Sequence, residues 1–251
     1  MAGTAVDDGG AVEGAFRTAL DAVGLDPDRP RGSTDRTAGS ASTDRAAGSA
    51  DTDRTVRATM GQAKLAVFTR LLGGDAIRAA RANAVFEDAL GDAVDRGLVV
   101  PVDGARTAIE SLQARGVAVC LTTGFSPATR DRILAGLGWT GLADLVLSPA
   151  DAGRGRPWPD MILTAVLRLG IEDVAEVAAV GDTTSDLIAG TRAGASLVVG
   201  VLTGAHGLDE LLTAPHTHVI GSIRELPDLV ETHGPAGRSH PVAADGDAAT
   251  P

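Results

Sequence analysis

From residue 104 onward the chain alternates helical and strand patterns, and this alternation limits its fold more than any other feature. Apolar positions at helical spacing predict helices over 104–115, 127–137, 158–169 and 186–193. Short apolar runs between them predict strands over 117–122, 144–147, 177–181 and 196–201, with a last one at 217–220. Strands alternating with helices of this length imply an α/β fold with a doubly wound parallel sheet. In open sheets of that kind ligands bind outside the carboxyl ends of the strands. Polar residues at those ends are therefore the first candidates for chemistry.

Three strand ends carry such residues. Thr122-Thr123-Gly124 closes the first, offering a hydroxyl and a backbone amide to a phosphoryl oxygen. A strand that simply ends in small residues reads the same way. The run Gly153-Arg154-Gly155-Arg156-Pro157-Trp158-Pro159-Asp160 sets Arg156 just ahead of a Pro-started helix, a natural place for an anion. A solvated loop arginine is an equal reading of that residue. The third end is Gly181-Asp182-Thr183-Thr184-Ser185-Asp186, after the apolar run Val177–Val180. Two hard-oxygen ligands four residues apart suit Mg²⁺, which takes one or two carboxylates plus substrate phosphate. Helix capping accounts for one of these acids but not for both.

The first hundred residues read differently. Val12, Phe16, Leu20 and Val23 predict a helix over 11–24. Residues 26–55 hold near-repeats of the Ser-Thr-Asp-Arg type with no large apolar side chain, which predicts a disordered insert. Helices are expected over 56–72 and 75–96, parted by Gly73-Gly74 and ended by Gly97. Three helices without a strand predict a small helical bundle, with Val99–Pro101 leading out of it. The stretch 234–251 is rich in Pro, Gly, Ala and Asp and reads as a disordered tail.

Composition narrows the function classes. An apolar fraction of 44% supports a sizeable core, and 251 residues fit one domain or a core with an inserted subdomain. A net charge of −11 argues against a nucleic-acid partner and gives no reason to expect a membrane surface. No run approaches the roughly 20 apolar residues of a membrane span, and no basic-then-apolar leader is visible. A cytoplasmic protein is the expectation. Cys120, the one cysteine, reads as a small core residue. Of the 22 basic residues, one, Lys64, is lysine and the rest are arginine. Lysine can lose its proton and act as a nucleophile, which arginine cannot. On composition alone its singularity reads as chance. His206, His216 and His218 read as surface-loop residues.

Taken in chain order, Thr/Ser, a cation before Pro, and Gly-Asp-x-x-x-Asp resemble motifs two, three and four of the haloacid dehalogenase (HAD) superfamily. The resemblance covers about residues 99–230. The helices ahead of it match that superfamily's inserted cap. It implies a motif-one remnant over 1–10, a cap over 11–98, a HAD-like Rossmannoid core over 99–233 and the tail beyond. Motif one is Asp-x-Asp-Gly-Thr, and Met1-Ala2-Gly3-Thr4 resembles its last part. The family's Asp nucleophile would then sit immediately before Met1, with the first core strand ahead of it. The expectation is a reading frame that starts further upstream. Ala2 stands where most family phosphatases have a second Asp. That is the pattern of the phosphonatase-like branch, which also uses Arg in motif three, matching Arg156. The branch carries Met-Gly-x-x-Lys in its cap, and Met60-Gly61-Gln62-Ala63-Lys64 is similar. Its Lys forms a Schiff base with an aldehyde. A His three residues later in the branch is Val67 here, and the Gly204-Ala205-His206 and Pro215-His216-Thr217-His218-Val219 region also resembles that branch.

The resemblance implies a Mg²⁺-dependent hydrolase of a small phosphonate or phosphorylated metabolite. Asp182 and Asp186 would hold the metal. Lys64, Thr123 and Arg156 would be catalytic, and Ala2, Gly3, Thr4, Met60 and Gly124 would bind substrate. A homodimer through the cap is a further implication. Two alternatives stay open. One is a phosphomonoesterase of the phosphoglycolate phosphatase type, against which Ala2 stands because the leaving alkoxide would lack a general acid. The other is a non-catalytic relic that retains a phosphate- and metal-binding clamp.

Overall fold

The computed structural model describes residues 1–25, 59–60 and 62–233. The expected insert 26–55 and tail 234–251 lie outside the described residues.

A short strand, β1 (Val6–Asp7), leads into helix α1 (Ala11–Ala22). Val12, Ala15, Phe16, Ala19 and Leu20 form its buried stripe at helical spacing. Helix α2 (Lys64–Leu71) buries Lys64, Val67 and Phe68. Helix α3 (Ala76–Asp95) is capped by Asp75, whose carboxylate accepts the Arg78 amide at 3.0 Å. Both α1 and α2 pack against α3. Phe16 stacks on Phe68 with ring centroids 4.9 Å apart, and Phe68 meets Phe86 edge-on at 6.1 Å. Phe86 in turn reaches Phe125, at 6.1 Å, on the loop that follows the first strand of the α/β part. This line of rings joins the helices to the sheet layer. The chain returns through β2 (Val100–Pro101), which pairs antiparallel with β1 in the register Val6 to Pro101 and Asp7 to Val100. The outgoing and returning segments thus run side by side.

The alternating half follows as α4 (Ala105–Ala114), β3 (Cys120–Thr122), α5 (Pro127–Gly136) and β4 (Leu145–Leu147). Then come α6 (Pro149–Ala152), α7 (Asp160–Arg168), β5 (Ala178–Gly181) and α8 (Thr184–Ala193). The described chain closes with β6 (Leu197–Val201), α9 (Leu208–Leu211), β7 (His218–Ile220) and α10 (Leu226–His233). β3 pairs parallel with β4, and β5, β6 and β7 form a parallel ladder in that order. The expected parallel α/β architecture is therefore present. β3 and β5 do not pair, and a cavity of about 320 Å³ lies between them. Two cores flank the strands. The larger runs from the helical segment through Ile109, Ile133 and Trp139, and the smaller joins Leu187, Val198, Leu211 and Ala214.

Several boundaries differ from the sequence expectation, among them the start of the helix expected from 186, which begins at Thr184. The strand expected over 117–122 ladders only from Cys120, because the Val119 amide donates to the Asp144 carboxylate at 2.8 Å. The helix expected from 158 starts at Asp160, since Pro157 and Pro159 hold the chain in a turn ahead of it. Within the described residues, the helix expected over 56–72 starts at Lys64. No described helix is long and apolar enough to cross a membrane.

Candidate active site

Asp182 directly follows β5 and is buried. Thr183 then caps α8, and Asp186 completes a capping box. The Asp186 carboxylate accepts from the Thr183 amide at 3.0 Å and from its hydroxyl at 2.5 Å. Capping therefore accounts for Asp186, as one acid of the pair, and leaves Asp182 for another purpose. Asp186 also forms a buried ion pair with Arg156. Burial works against the ionised form of Asp186, but the Arg156 guanidinium and the Thr183 hydroxyl help hold its carboxyl below the usual range.

Asp182 sits in a cradle built by two distant segments. Gly3, at φ 75°, and Gly204 both approach it so closely that an added Cβ would lie 2.1 Å from its Oδ2. A side chain at either position would displace the carboxylate. Thr4 Oγ1 donates to Asp182 Oδ1 at 2.9 Å, and the Ala205 amide donates to Oδ2 at 2.9 Å. Burial, and then the charge of Asp186, push the Asp182 carboxyl above its usual range.

The loop carrying Gly204 is fixed in turn. Thr203 Oγ1 donates to the Gly3 carbonyl at 2.8 Å, and the His206 amide donates to the Asp182 carbonyl at 3.2 Å. His206 Nδ1 accepts the Thr184 amide, at the first turn of α8, at 3.1 Å. His206 is buried, which corrects its reading as a surface-loop residue. His216 and His218 are half-buried. Replacing His206 by Ala leaves the Thr184 amide without this acceptor, and a stability loss of about 1–3 kcal/mol is expected. Asn, whose Oδ1 can take the place of Nδ1, should recover much of that loss in urea unfolding. Equal losses for the two variants would show that the acceptor atom does not matter.

Thr123 is buried, but its amide is not open to a ligand, because it donates to the Leu147 carbonyl at 3.0 Å. Its hydroxyl accepts the Phe125 amide at 3.3 Å and retains its own proton to donate. Of the hydroxyl and backbone amide expected from Thr122-Thr123-Gly124, the Thr123 amide is therefore taken and the Thr123 hydroxyl keeps a proton to donate. Lys64 opens α2 and is only 5% exposed, with Nζ 3.5 Å from the Thr59 carbonyl. Burial and then Arg156 push its amine down to about 8, against a smaller opposing effect of Asp8.

These groups share a cavity of about 30 Å³. Ala2, Met60, Lys64, Thr123, Gly124, Arg156 and Asp182 line it, together with Val12, Gln62 and Phe125. Gly3 and Thr4 stand behind Asp182, and Asp186 stands behind Arg156. Val12 and Phe125 gave no signal in the sequence beyond that of core residues. Gln62 lay inside the Met-Gly-x-x-Lys run without a role attached. Val67 is fully buried and does not line the cavity.

Two features bear on what the cavity can hold. Arg156 Nε is buried with no hydrogen-bond partner among the described residues, so it can still donate to an anionic oxygen. Asp182 is a buried carboxylate facing a second one, a repulsion that a hard cation would offset. Among the described residues no three His, Cys, Asp or Glu converge as a metal site. Asp182 lines the cavity, while the Asp186 carboxylate behind it is engaged by Thr183 and Arg156, so a hard cation at Asp182 would take most of its shell from substrate oxygens and water.

Known proteins resemble this chain at three levels. The profile of the haloacid dehalogenase-like hydrolases matches residues 1–194. A phosphonoacetaldehyde hydrolase of Pseudomonas fluorescens (strain Pf0-1) is 34% identical over 110 residues, 43% of this chain and 40% of that protein. One of Bacillus cereus is 33% identical over 132 residues, 52% of this chain and 48% of that protein. In both cases the match spans less than half of the relative's length. Among solved structures, a hydrolase from Pseudomonas syringae superposes with a TM-score of 0.74 at 20% identity, covering 93% of this chain and 96% of the other. A phosphonoacetaldehyde hydrolase-like protein from Oleispira antarctica gives 0.71 at 21% identity, covering 92% and 89%.

Proposed function

The chain belongs to the haloacid dehalogenase-like hydrolases, and from that premise we propose that it is a Mg²⁺-dependent phosphonatase-type hydrolase acting on a small phosphono-aldehyde such as phosphonoacetaldehyde. The observation that carries this reading is the company of Lys64. The chain's single lysine is buried in the same cavity as Thr123, Arg156 and Asp182. A phosphomonoesterase could use Lys64 only as a cation, whereas cleaving a carbon–phosphorus bond calls for an amine that can form an imine.

In this reading each residue handles one end of the substrate. The neutral Lys64 amine adds to the aldehyde carbon, and loss of water leaves an iminium. When the carbon–phosphorus bond breaks, its electron pair moves onto carbon and is absorbed by the iminium as an enamine. Protonation and hydrolysis of the enamine return Lys64 and release an aldehyde. Arg156, through its unpartnered Nε, and the Thr123 hydroxyl bind the phosphoryl oxygens and stabilise the charge spread over them. The family's nucleophile, a carboxylate of its first motif, would take the phosphoryl group, and water would then free phosphate from it. Mg²⁺ at Asp182 would supply positive charge to the oxygens of the transferred group. Val67 supports no proton transfer to the imine, so water must carry that proton.

The test is a comparison of phosphate release from phosphonoacetaldehyde and from 2-phosphoglycolate in the presence of Mg²⁺. With Ala2 offering no acid to an alkoxide leaving group, the phosphonate should react faster by at least about a hundredfold. Faster release from the phosphomonoester would replace this reading with that of an ordinary phosphatase.

A further inference from the structure

Two imidazoles meet at the edge of the sheet, outside the cavity that Lys64 lines. His218 opens β7, the outer strand of the β5–β6–β7 ladder, and His233 ends α10. Their ring centroids lie 4.8 Å apart, with the planes tilted by 58°. His218 is half-buried and His233 is exposed, so water reaches the pair. Neither residue belongs to the active-site cavity or to the two hydrophobic cores.

The hydrogen bonds around His218 fix which of its nitrogens is available. Thr217 Oγ1 accepts the Val198 amide at 2.9 Å and donates its one proton to the Val198 carbonyl at 3.1 Å. His218 Nδ1 lies 3.0 Å from the same oxygen. With its proton already given, the hydroxyl can only accept from Nδ1. The Nδ1–H tautomer follows, and it leaves the Nε2 lone pair of His218 open. One ring N–H held by a neighbouring oxygen, with the other nitrogen bare, is the arrangement that metal-ligating histidines adopt.

The spacing of the two rings agrees. With metal–nitrogen bonds of about 2.1 Å, two imidazoles on one tetrahedral or square-planar ion bring their centroids roughly 4.6–5.3 Å apart. The observed separation falls in that range. The acids of α10 face elsewhere. Glu231 accepts from Arg115 Nη1 at 2.7 Å, and Asp228 lies 3.8 Å from Arg115 Nη2. The donors offered are therefore two neutral nitrogens. Such a set suits Zn²⁺, Cu²⁺ or Ni²⁺ and gives little to Mg²⁺ or Ca²⁺, which want oxygen.

We infer that His218 and His233 form a site for one imidazole-seeking divalent ion of the Zn²⁺ class, with water completing its shell. The ion clasps the end of α10 to the edge of the sheet. Arg115 already holds the start of that helix, donating to the Pro227 carbonyl at 2.9 Å. The inference is independent of the hydrolase reading, and its test uses no turnover.

Zn²⁺ is titrated into the full chain in a large excess of Mg²⁺, which fills carboxylate sites and leaves imidazoles alone. Calorimetry should show one Zn²⁺ bound at this pair. His218→Ala and His233→Ala should each weaken it at least about tenfold. His216→Ala and His240→Ala, the latter outside the described residues, should leave it unchanged. The second readout is amide hydrogen exchange. At free Zn²⁺ about ten times the dissociation constant, amides in the last turn of α10 should exchange about tenfold more slowly. That slowing should vanish in His218→Ala, whose substitution lies on the strand and not on the helix. Absence of Zn²⁺ binding, binding that survives either alanine variant of the pair, or exchange in α10 that ignores Zn²⁺ would each overturn the inference.

Discussion

Replacing Lys64 by Arg abolishes borohydride trapping of the chain with an aldehyde substrate and lowers carbon–phosphorus cleavage by at least about three orders of magnitude, roughly 4 kcal/mol of barrier. Arginine retains the charge and much of the length but cannot form the imine. Mass spectrometry of the reduced adduct reads the first effect directly, at Lys64. The pH dependence follows from the buried amine, which lies at about 8. At pH 7 about a tenth of such an amine is neutral, against a few parts in ten thousand for an unperturbed lysine. Trapping should therefore climb steeply toward pH 8 and level off above about pH 9. The same shift has a stability sign. Between about 8 and the ordinary 10.5 the unfolded chain retains a proton that the folded chain has lost. Unfolding takes up protons in that window, so this group makes the fold more stable as pH rises through it, while below pH 8 its penalty is constant. An arginine variant that cleaves as fast as the parent chain would exclude imine chemistry.

Replacing Phe68 by Ala should cost about 3–5 kcal/mol of stability. Phe68 is fully buried, stacked on Phe16 at 4.9 Å and edge-on to Phe86 at 6.1 Å. Its loss empties the junction of three helices, and the net stability of a domain is only about 5–15 kcal/mol. The effect should appear as a lower urea midpoint with an unchanged slope. Phe68→Leu keeps most of the volume and should lose less than half as much. A loss under about 1 kcal/mol for the alanine variant would mean that the helices close over the gap. Phe68 also lies one helical turn after Lys64 on α2. The alanine variant should therefore trap aldehyde more weakly even at temperatures where it remains folded.

The elements that were legible in the sequence are those whose periodicity is long or whose turns are sharp. The strand-to-helix step at Gly181–Asp186 and the proline-marked run around Arg156 could be placed because strand ends and helix starts have local chemistry. Lys64 could be singled out because the chain has no other lysine and because Met60 and Gly61 precede it. What could not be read depends on contacts between distant segments. Gly3 and Gly204 meet at one carboxylate across about two hundred residues, and neither position announces this. His206 looks like a loop residue until the first turn of α8 is set against it. Asp186 reads as a metal ligand by spacing, yet its oxygens are already shared between Thr183 and Arg156. Val12 and Phe125 line the cavity as ordinary apolar residues at ordinary spacing. The pairing of β1 with β2 involves two residues on each side, too few for any periodic signal.

That two-residue ladder has a consequence for how such a chain can change. Where the helical segment leaves at Val6–Asp7 and where it comes back at Val100–Pro101 are neighbours in space. The chain crosses between the two parts only there, while the described helices also pack on the rest through Phe86 against Phe125 and Asp95 against Arg132. Met60, Gln62 and Lys64 lie between those two points of the chain, while Thr123, Arg156 and Asp182 lie beyond them. On the proposed reading, the residues that meet the carbon side of the substrate and those that grip phosphorus thus lie on different sides of one short ladder, and each set can vary without moving the other.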